Sequence, residues 1–283
     1  MNKKKPWYKK ANLAGIVSVI ILSFFALVQI LPFFLQLVLS LQPLDFRPEY
    51  GKLYFWPKSI NFKNYIMAFK LAELKEGLVN TLIAASAYTF ISLCVVLVVG
   101  YVLGKKEFKG KKLITIMLLA TMMIPGEILM VPNYFLMIKF GWLNELKALF
   151  LPGIVNIFGI FLVRQFMNTI PNALLESAEL DGANEFQKIF KIVLPLSMPV
   201  VGTYSILTFT ALWNDYLWPN IVLRTTDKFT IQLKLMQFAP QFADSRDQIL
   251  MAAGLILVLF PVITVYIFFQ RYFIQSVNMT GIK

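Results

Sequence analysis

Residues 176–195 read ESAELDGANEFQKIFKIVLP, a polar, patterned segment set between runs apolar enough to cross a bilayer. Pro171, just before it, suits a first helical turn, where the N–H it lacks would be unpaired anyway. Leu174, Leu175 and Ala178 then share one helical face, and Glu176 and Glu179 another. Gly182 is placed to end this helix, because glycine adopts the left-handed conformation without steric penalty. Asn184 is an N-cap for a second helix, with Gln187 three residues on as in a capping box. Phe186, Ile189, Phe190 and Val193 follow at i, i+3, i+4 and i+7, the apolar face of an amphipathic helix. Pro195 marks a bend before the next apolar run.

Outside this stretch the chain is dominated by hydrocarbon. Of its 283 residues 58% are hydrophobic, with a mean hydropathy of +0.68. Soluble domains hold about 45–50% apolar residues, and runs of about 20 are long enough to span. A polytopic, all-α membrane protein follows. The net charge of +12 raises nucleic acid as a partner, but the lysines sit beside apolar runs, where they act as topology signals and interfacial anchors. There is no histidine and one cysteine, which excludes histidine metal sites, a Ser-His-Asp triad, a Cys-His nucleophile and an intrachain disulfide. Cys94 lies in an apolar run and reads as a small buried hydrophobe.

Six spans are expected, over residues 13–41, 78–103, 113–138, 148–167, 196–217 and 249–269. The first follows the basic tail 1–10 and contains Pro32. It is too long for a signal-peptide core, and no small-x-small cleavage site is evident. Residues 42–76 read as an outer loop with a short surface helix near 64–69. The third span is interrupted by Pro125-Gly126 and Pro132. Gly100 and Gly104 form a small-xxx-small pair, either a close helix approach or an incidental pair at a helix end. Fifteen of the twenty-seven Lys and Arg fall on the side carrying both termini, five of them in the tail and five in the short loop 105–112. Short basic loops weigh most in orientation, so both termini are expected in the cytoplasm. The chain divides into residues 1–75, with tail, first span and outer loop, and a core of 76–283 that carries the loop 168–195. No Gly-x4-Gly-Lys-[Ser/Thr] sequence is present to cradle a nucleotide. An active transporter would draw its energy from another chain or from an ion gradient.

The organising stretch follows the pattern E-[AS]-A, three residues, G, nine residues, I-x-L-P, filled by Glu176, Ser177, Ala178, Gly182, Ile192, Leu194 and Pro195. It resembles the cytoplasmic loop of bacterial ABC importer permeases. Asn80-Thr81, Pro125-Gly126-Glu127, Trp213-Asn214-Asp215-Tyr216 and Arg271-Tyr272-Phe273 resemble the maltose and multiple-sugar branch. The resemblance implies a type I importer permease fold of about six transmembrane helices with a cytoplasmic coupling helix, in a bacterial cell membrane. It implies as partners a second permease subunit, two ATPase subunits that hold ATP and Mg, an extracytoplasmic solute-binding protein and membrane lipid. It implies no cofactor or catalytic residue on this chain, and no nucleic acid. Glu176, Ser177, Ala178, Leu180, Asp181, Gly182, Ala183 and Pro195 become docking residues for the ATPase. Phe186 and Phe190 would pack the second helix back onto the bundle. The bland reading is an interfacial helix on lipid, which the four acidic residues Glu176, Glu179, Asp181 and Glu185 disfavour.

Polar residues inside spans are costly and usually face a cavity. Glu127, Asn133, Asn156, Tyr204, Trp213, Asn214 and Asp215 are therefore candidates for a solute path, Trp213 or Tyr216 offering a face to a sugar ring. The alternatives are interhelical hydrogen bonds for the asparagines and an outer interfacial belt for Trp213, Tyr216 and Trp218. Residues 224–248 read either as a contact for the binding protein or as a solvated connector. An ion-coupled secondary transporter would use Glu127 and Asp215 in a coupling site, but needs no docking loop.

Overall fold

Long apolar runs in which most backbone groups have no polar side chain to bond must satisfy those groups along their own helix. The computed structural model describes residues 13–47, 49, 51–238 and 245–280, and these form helices and connecting turns. The basic tail 1–10, residues 239–244 of the polar stretch 224–248, and the last three residues lie outside the described ones.

The helices in chain order are α1 (Leu13–Ser40), α2 (Lys63–Leu71), α3 (Leu74–Lys105), α4 (Lys111–Thr121), α5 (Met130–Lys139), α6 (Lys147–Phe150) and α7 (Ile157–Met167). They continue as α8 (Asn172–Leu180), α9 (Glu185–Gln187), α10 (Leu194–Leu196), α11 (Met198–Trp213), α12 (Leu217–Val222), α13 (Ile231–Phe238) and α14 (Ser245–Thr280). Among the described residues α1, α3 and α14 are long and apolar enough to span singly. Three bent pairs bring the count to six, matching the sequence expectation. Each break falls where the sequence puts one. The 89° bend between α4 and the segment ending in α5 holds Pro125-Gly126. The 50° bend before α7 follows Pro152-Gly153, and the 80° bend before α11 follows Pro195.

Contacts divide the chain into two units, residues 1–68 with 240–256, and 69–239 with 257–283. In the first, Asn64 is buried and donates through Nδ2 to the carbonyls of Ser40 and Gln42, both at 2.8 Å. Tyr65 Oη lies 2.6 Å from Ser40 Oγ. The expected surface helix is thus tied to the end of α1 by buried hydrogen bonds.

In the second unit α3 is the central element, packed along α7 and α11. The glycine pair is a close approach. A Cβ on Gly100 would meet Val163 Cγ1 at 2.6 Å, and one on Gly104 would meet Met167 Cβ at 2.6 Å. Val96, Leu97, Tyr101, Ile160, Val163 and Met167 form the apolar core at this crossing. Cys94, expected inside, is exposed on α3. Lipid solvates an exposed apolar residue as well as a core does, so burial is not enforced there.

Residues 225–238 also depart from expectation, since they are not a solvated connector. Asn80 Nδ2 donates to the carbonyls of Asp227 (2.8 Å) and Phe229 (3.0 Å), and Thr81 Oγ1 accepts the Ile231 N–H at 2.8 Å. Lys234, itself buried, pairs with Glu73 and Glu76. Asn80-Thr81 is therefore the anchor that folds α13 onto the start of α3.

Candidate functional site

The patterned loop is built from local signals. Pro171 caps α8 from outside the helix. At its other end Gly182 has φ 82°, the Gly182 N–H bonds the Glu179 carbonyl at 3.0 Å, and the Ala183 N–H bonds that of Ala178 at 2.9 Å. These two bonds form a Schellman motif, in which a left-handed glycine lets the chain turn back on the last carbonyls. Two residues on, Asn184 Oδ1 accepts the Gln187 N–H and Gln187 Oε1 accepts the Asn184 N–H, each at 2.9 Å. The expected capping box is present, and the link between the two helices is closed at both ends.

The second helix is not the regular amphipathic helix expected. After α9, residues Lys188–Val193 form a π-helical turn, in which the Leu194 N–H reaches back five residues to the Ile189 carbonyl. The wider turn brings residues four apart onto one side. Ile189 and Val193 enter the core beside Tyr101 and Met167. Phe186 and Phe190 are left on the surface, 73% and 54% exposed, so the expectation that they pack onto the bundle is corrected.

An ionic cluster holds the loop. Lys188 is buried and bonds Glu179 Oε2 at 2.7 Å and Glu185 Oε1 at 3.1 Å. Glu185 Oε1 also takes a bond from Lys106 Nζ at 2.8 Å, and Tyr101 Oη donates to Glu185 Oε2 at 2.9 Å. Lys105 Nζ bonds the Ile170 carbonyl and, at 2.8 Å, Asn172 Oδ1. None of these partners was singled out from sequence. The signal available was a short basic loop, 105–112, matched by an acidic one, 176–185.

This loop lies beyond the spanning segments, and its carboxyls feel the lysines. The Lys106 ammonium, with help from Lys188 and Tyr101, pulls Glu185 down to about 2 from an ordinary 4.5, against the opposing effect of partial burial. Lys188 lowers Glu179 in the same way. A carboxyl depressed by folding contributes stability above its ordinary value and loses it as pH falls toward the folded one. The grip of Glu185 is therefore expected to be constant from neutrality to about pH 4.5 and to weaken between about 4.5 and about 2. The step is small, because the carboxylate is half exposed and screened by solvent. Hydrogen exchange over residues 185–190, corrected for intrinsic rates, should show this acid step in the wild type and lose it in Glu185→Gln.

What the loop presents outward is its tip. Glu176, Ser177, Asp181 and Gly182 are exposed, Ala178 and Ala183 are half-buried, and Leu180 is 89% exposed. Pro195 is exposed beyond the π turn. Seven of the eight expected docking residues thus cluster around the Schellman turn, with Pro195 set apart.

The candidate path residues are not brought together. Trp213 is fully buried, stacked on Phe209 at 5.6 Å, and its indole N–H donates to the Val258 carbonyl at 3.2 Å. It offers a face neither to a solute nor to an interfacial belt. Tyr204 is buried with its hydroxyl 2.6 Å from Ser92 Oγ, its ring filling the space a side chain at Gly159 would take. Asn156 caps α7 through the Gly159 N–H at 2.8 Å and lies 3.4 Å from Tyr88 Oη. Asp215 Oδ1 accepts the Trp218 N–H at 3.3 Å, and Asn214 Oδ1 lies 3.5 Å from Gln232 Nε2. Glu127 is exposed and Asn133 half-buried, and neither side chain is hydrogen-bonded among the described residues.

Residues 96–279 match the family described as binding-protein-dependent transport system inner membrane component. The arabinooligosaccharides transport system permease protein of Halalkalibacterium halodurans is 34% identical over 263 residues, covering 92% of this chain and 94% of that protein. The protein of the same name from Bacillus subtilis is 32% identical over 260 residues, covering 91% and 92%. The lactose transport system permease protein of Rhizobium radiobacter is 31% identical over 270 residues, covering 94% and 96%. The fold is similar to that of a chain in the crystal structure of a bacterial ABC transporter involved in the import of the acidic polysaccharide alginate. That match has a TM-score of 0.81 and 24% identity, and covers 95% of this chain and 100% of that one.

Proposed function

The chain belongs to the family of binding-protein-dependent transport system inner membrane components, and from that membership we propose that it is one of two permease subunits of an ATP-driven carbohydrate importer. The carbohydrate class rests on relatives named for arabinooligosaccharides and lactose. In this reading the loop 168–195 and both termini face the cytoplasm of a bacterial cell. The loop tip, with Glu176, Leu180 and Asp181, enters a cleft of an ATPase subunit. ATP and Mg are bound and ATP is hydrolysed on that partner chain, and this chain makes and breaks no bond in the solute. A second permease completes the pathway, and a solute-binding protein delivers the cargo from outside.

One observation supports docking above all: an exposed apolar and acidic tip on a base that is capped at both helix junctions and pinned to α3. A leucine 89% exposed at such a tip is covered at little entropic cost, because its backbone is already ordered. The test is extraction of the wild-type chain from its native membrane in mild detergent. An ATPase subunit and a second permease are expected to accompany it. Uptake abolished by an uncoupler but indifferent to loss of any ATPase would overturn the reading in favour of ion coupling.

A further inference from the structure

Lys188 is a charged side chain 3% exposed in a segment that is otherwise at the surface. A buried ammonium costs free energy unless it is paired and hydrogen-bonded. Its two partners lie on different elements, Glu179 in the last turn of α8 and Glu185 at the start of α9. Glu185 is in turn held by Tyr101 and Lys106, at the end of α3. An unbroken line of charge-assisted bonds therefore runs from α8 through Lys188 and Glu185 to α3. Both of its ends sit on packed structure. Tyr101 is buried beside Val163, Ile189 and Val193, and Leu175 of α8 belongs to the same core. The Lys105 bonds to Ile170 and Asn172 add a second strap to the start of α8. Beyond Tyr101, α3 is keyed into α7 by Gly100 and Gly104 and to α11 by the Ser92–Tyr204 contact.

We propose that this ion lattice makes α8 and α3 one rigid body, with Lys188 and Glu185 as the positioning residues, so that a displacement of the loop reaches the spanning helices without loss. The inference rests on the docking reading for what moves the loop, but not for the rigidity itself. Charge-assisted bonds suit this task because they fix direction as well as distance. The apolar contacts beneath them resist separation but not sliding.

The test uses the intact transporter. Cys94 is the chain's single cysteine, lies on α3 and is exposed, so it takes a spin label. A second label goes on the exposed Ala173 of α8 as Ala173→Cys, added before assembly with the partner subunits. With the link intact, the Cys94–Ala173 separation is expected to be narrow and the same with and without vanadate-trapped nucleotide. Tyr101→Phe combined with Lys106→Gln cuts the α3 end without touching the loop. The separation should then broaden and shift on trapping, while ATPase recovery with the chain persists. A narrow, state-independent separation in this variant with the ATPase bound overturns the proposal. Should the double variant fail to assemble, Lys188→Arg against Lys188→Met decides. Arginine can still bridge both carboxylates and is expected to hold the separation, methionine to release it, and equal behaviour of the two overturns the proposal. Absence of ATPase from the wild type, with the separation still narrow, would count against docking and not against the link.

Discussion

Combining Glu176→Lys with Gly182→Pro is expected to abolish recovery of an ATPase subunit with this chain while the second permease is still recovered. The two changes act on different physical terms. Glu176 is exposed and makes no ion pair among the described residues, so reversing its charge breaks nothing inside the chain. Any loss must come from a partner that reads the negative charge. Gly182 has φ 82°, whereas proline is confined near φ −65° and has no N–H to give the Glu179 carbonyl. The Schellman turn cannot form, and the tip loses the shape on which Ser177, Leu180 and Asp181 are displayed. Placing a like charge in an interface, or unpairing a desolvated one, costs about 2–5 kcal/mol, roughly 30- to several-thousandfold in affinity. An unchanged ATPase yield from the double variant would remove the loop tip from the docking surface.

A second large effect is expected at the crossing of α3 and α7. Gly100→Val puts a β-branched side chain where even a Cβ would lie 2.6 Å from Val163 Cγ1 and 3.2 Å from the Arg164 backbone nitrogen. Val163 cannot turn away, because a β-branched residue in a helix has one strongly preferred rotamer. The helices must part, and the buried Tyr101, Ile160 and Met167 lose contacts with them. Overpacking of this kind costs about 1–3 kcal/mol where the surroundings can adjust, and more where a backbone blocks the way. The expected outcome is a marked drop in the temperature of thermal inactivation in detergent. Gly15→Ala, with no atom within 4 Å of the added carbon, serves as the control and should be neutral or mildly stabilising. Equal melting of the two variants would mean that the small-xxx-small pair has no packing role.

What was legible in the sequence was local. Gly182, Asn184 and Gln187 act on backbone groups within three or four residues of themselves, so their spacing alone states what they do. The six spans were legible because hydrocarbon length is a property of a run. The prolines and glycines that break three of them were equally visible. The ion lattice was not, since Lys106 and Glu185 are 79 residues apart and only the packing of α3 against the loop brings them together. Phe186 and Phe190 were misplaced for another reason: a face drawn at 3.6 residues per turn does not survive a π turn. Asn80-Thr81 could be noticed as a pattern, but its partners, 227–231, lie far along the chain and are carbonyls and an N–H, which carry no side-chain signature.

The π turn at Lys188–Val193 has a consequence for evolution and engineering alike. A turn of this kind houses one residue more than an α-helical turn spanning the same height. Delete that residue and the segment can rewind as ordinary helix, but everything beyond it is then out of phase by about 100°. Val193 would swing off the core, and the corner before α11 would point elsewhere. The spacing between Asn184 and Ser197 therefore behaves like a reading frame. The letters on its outward side can be exchanged one for another, but a single indel garbles the message.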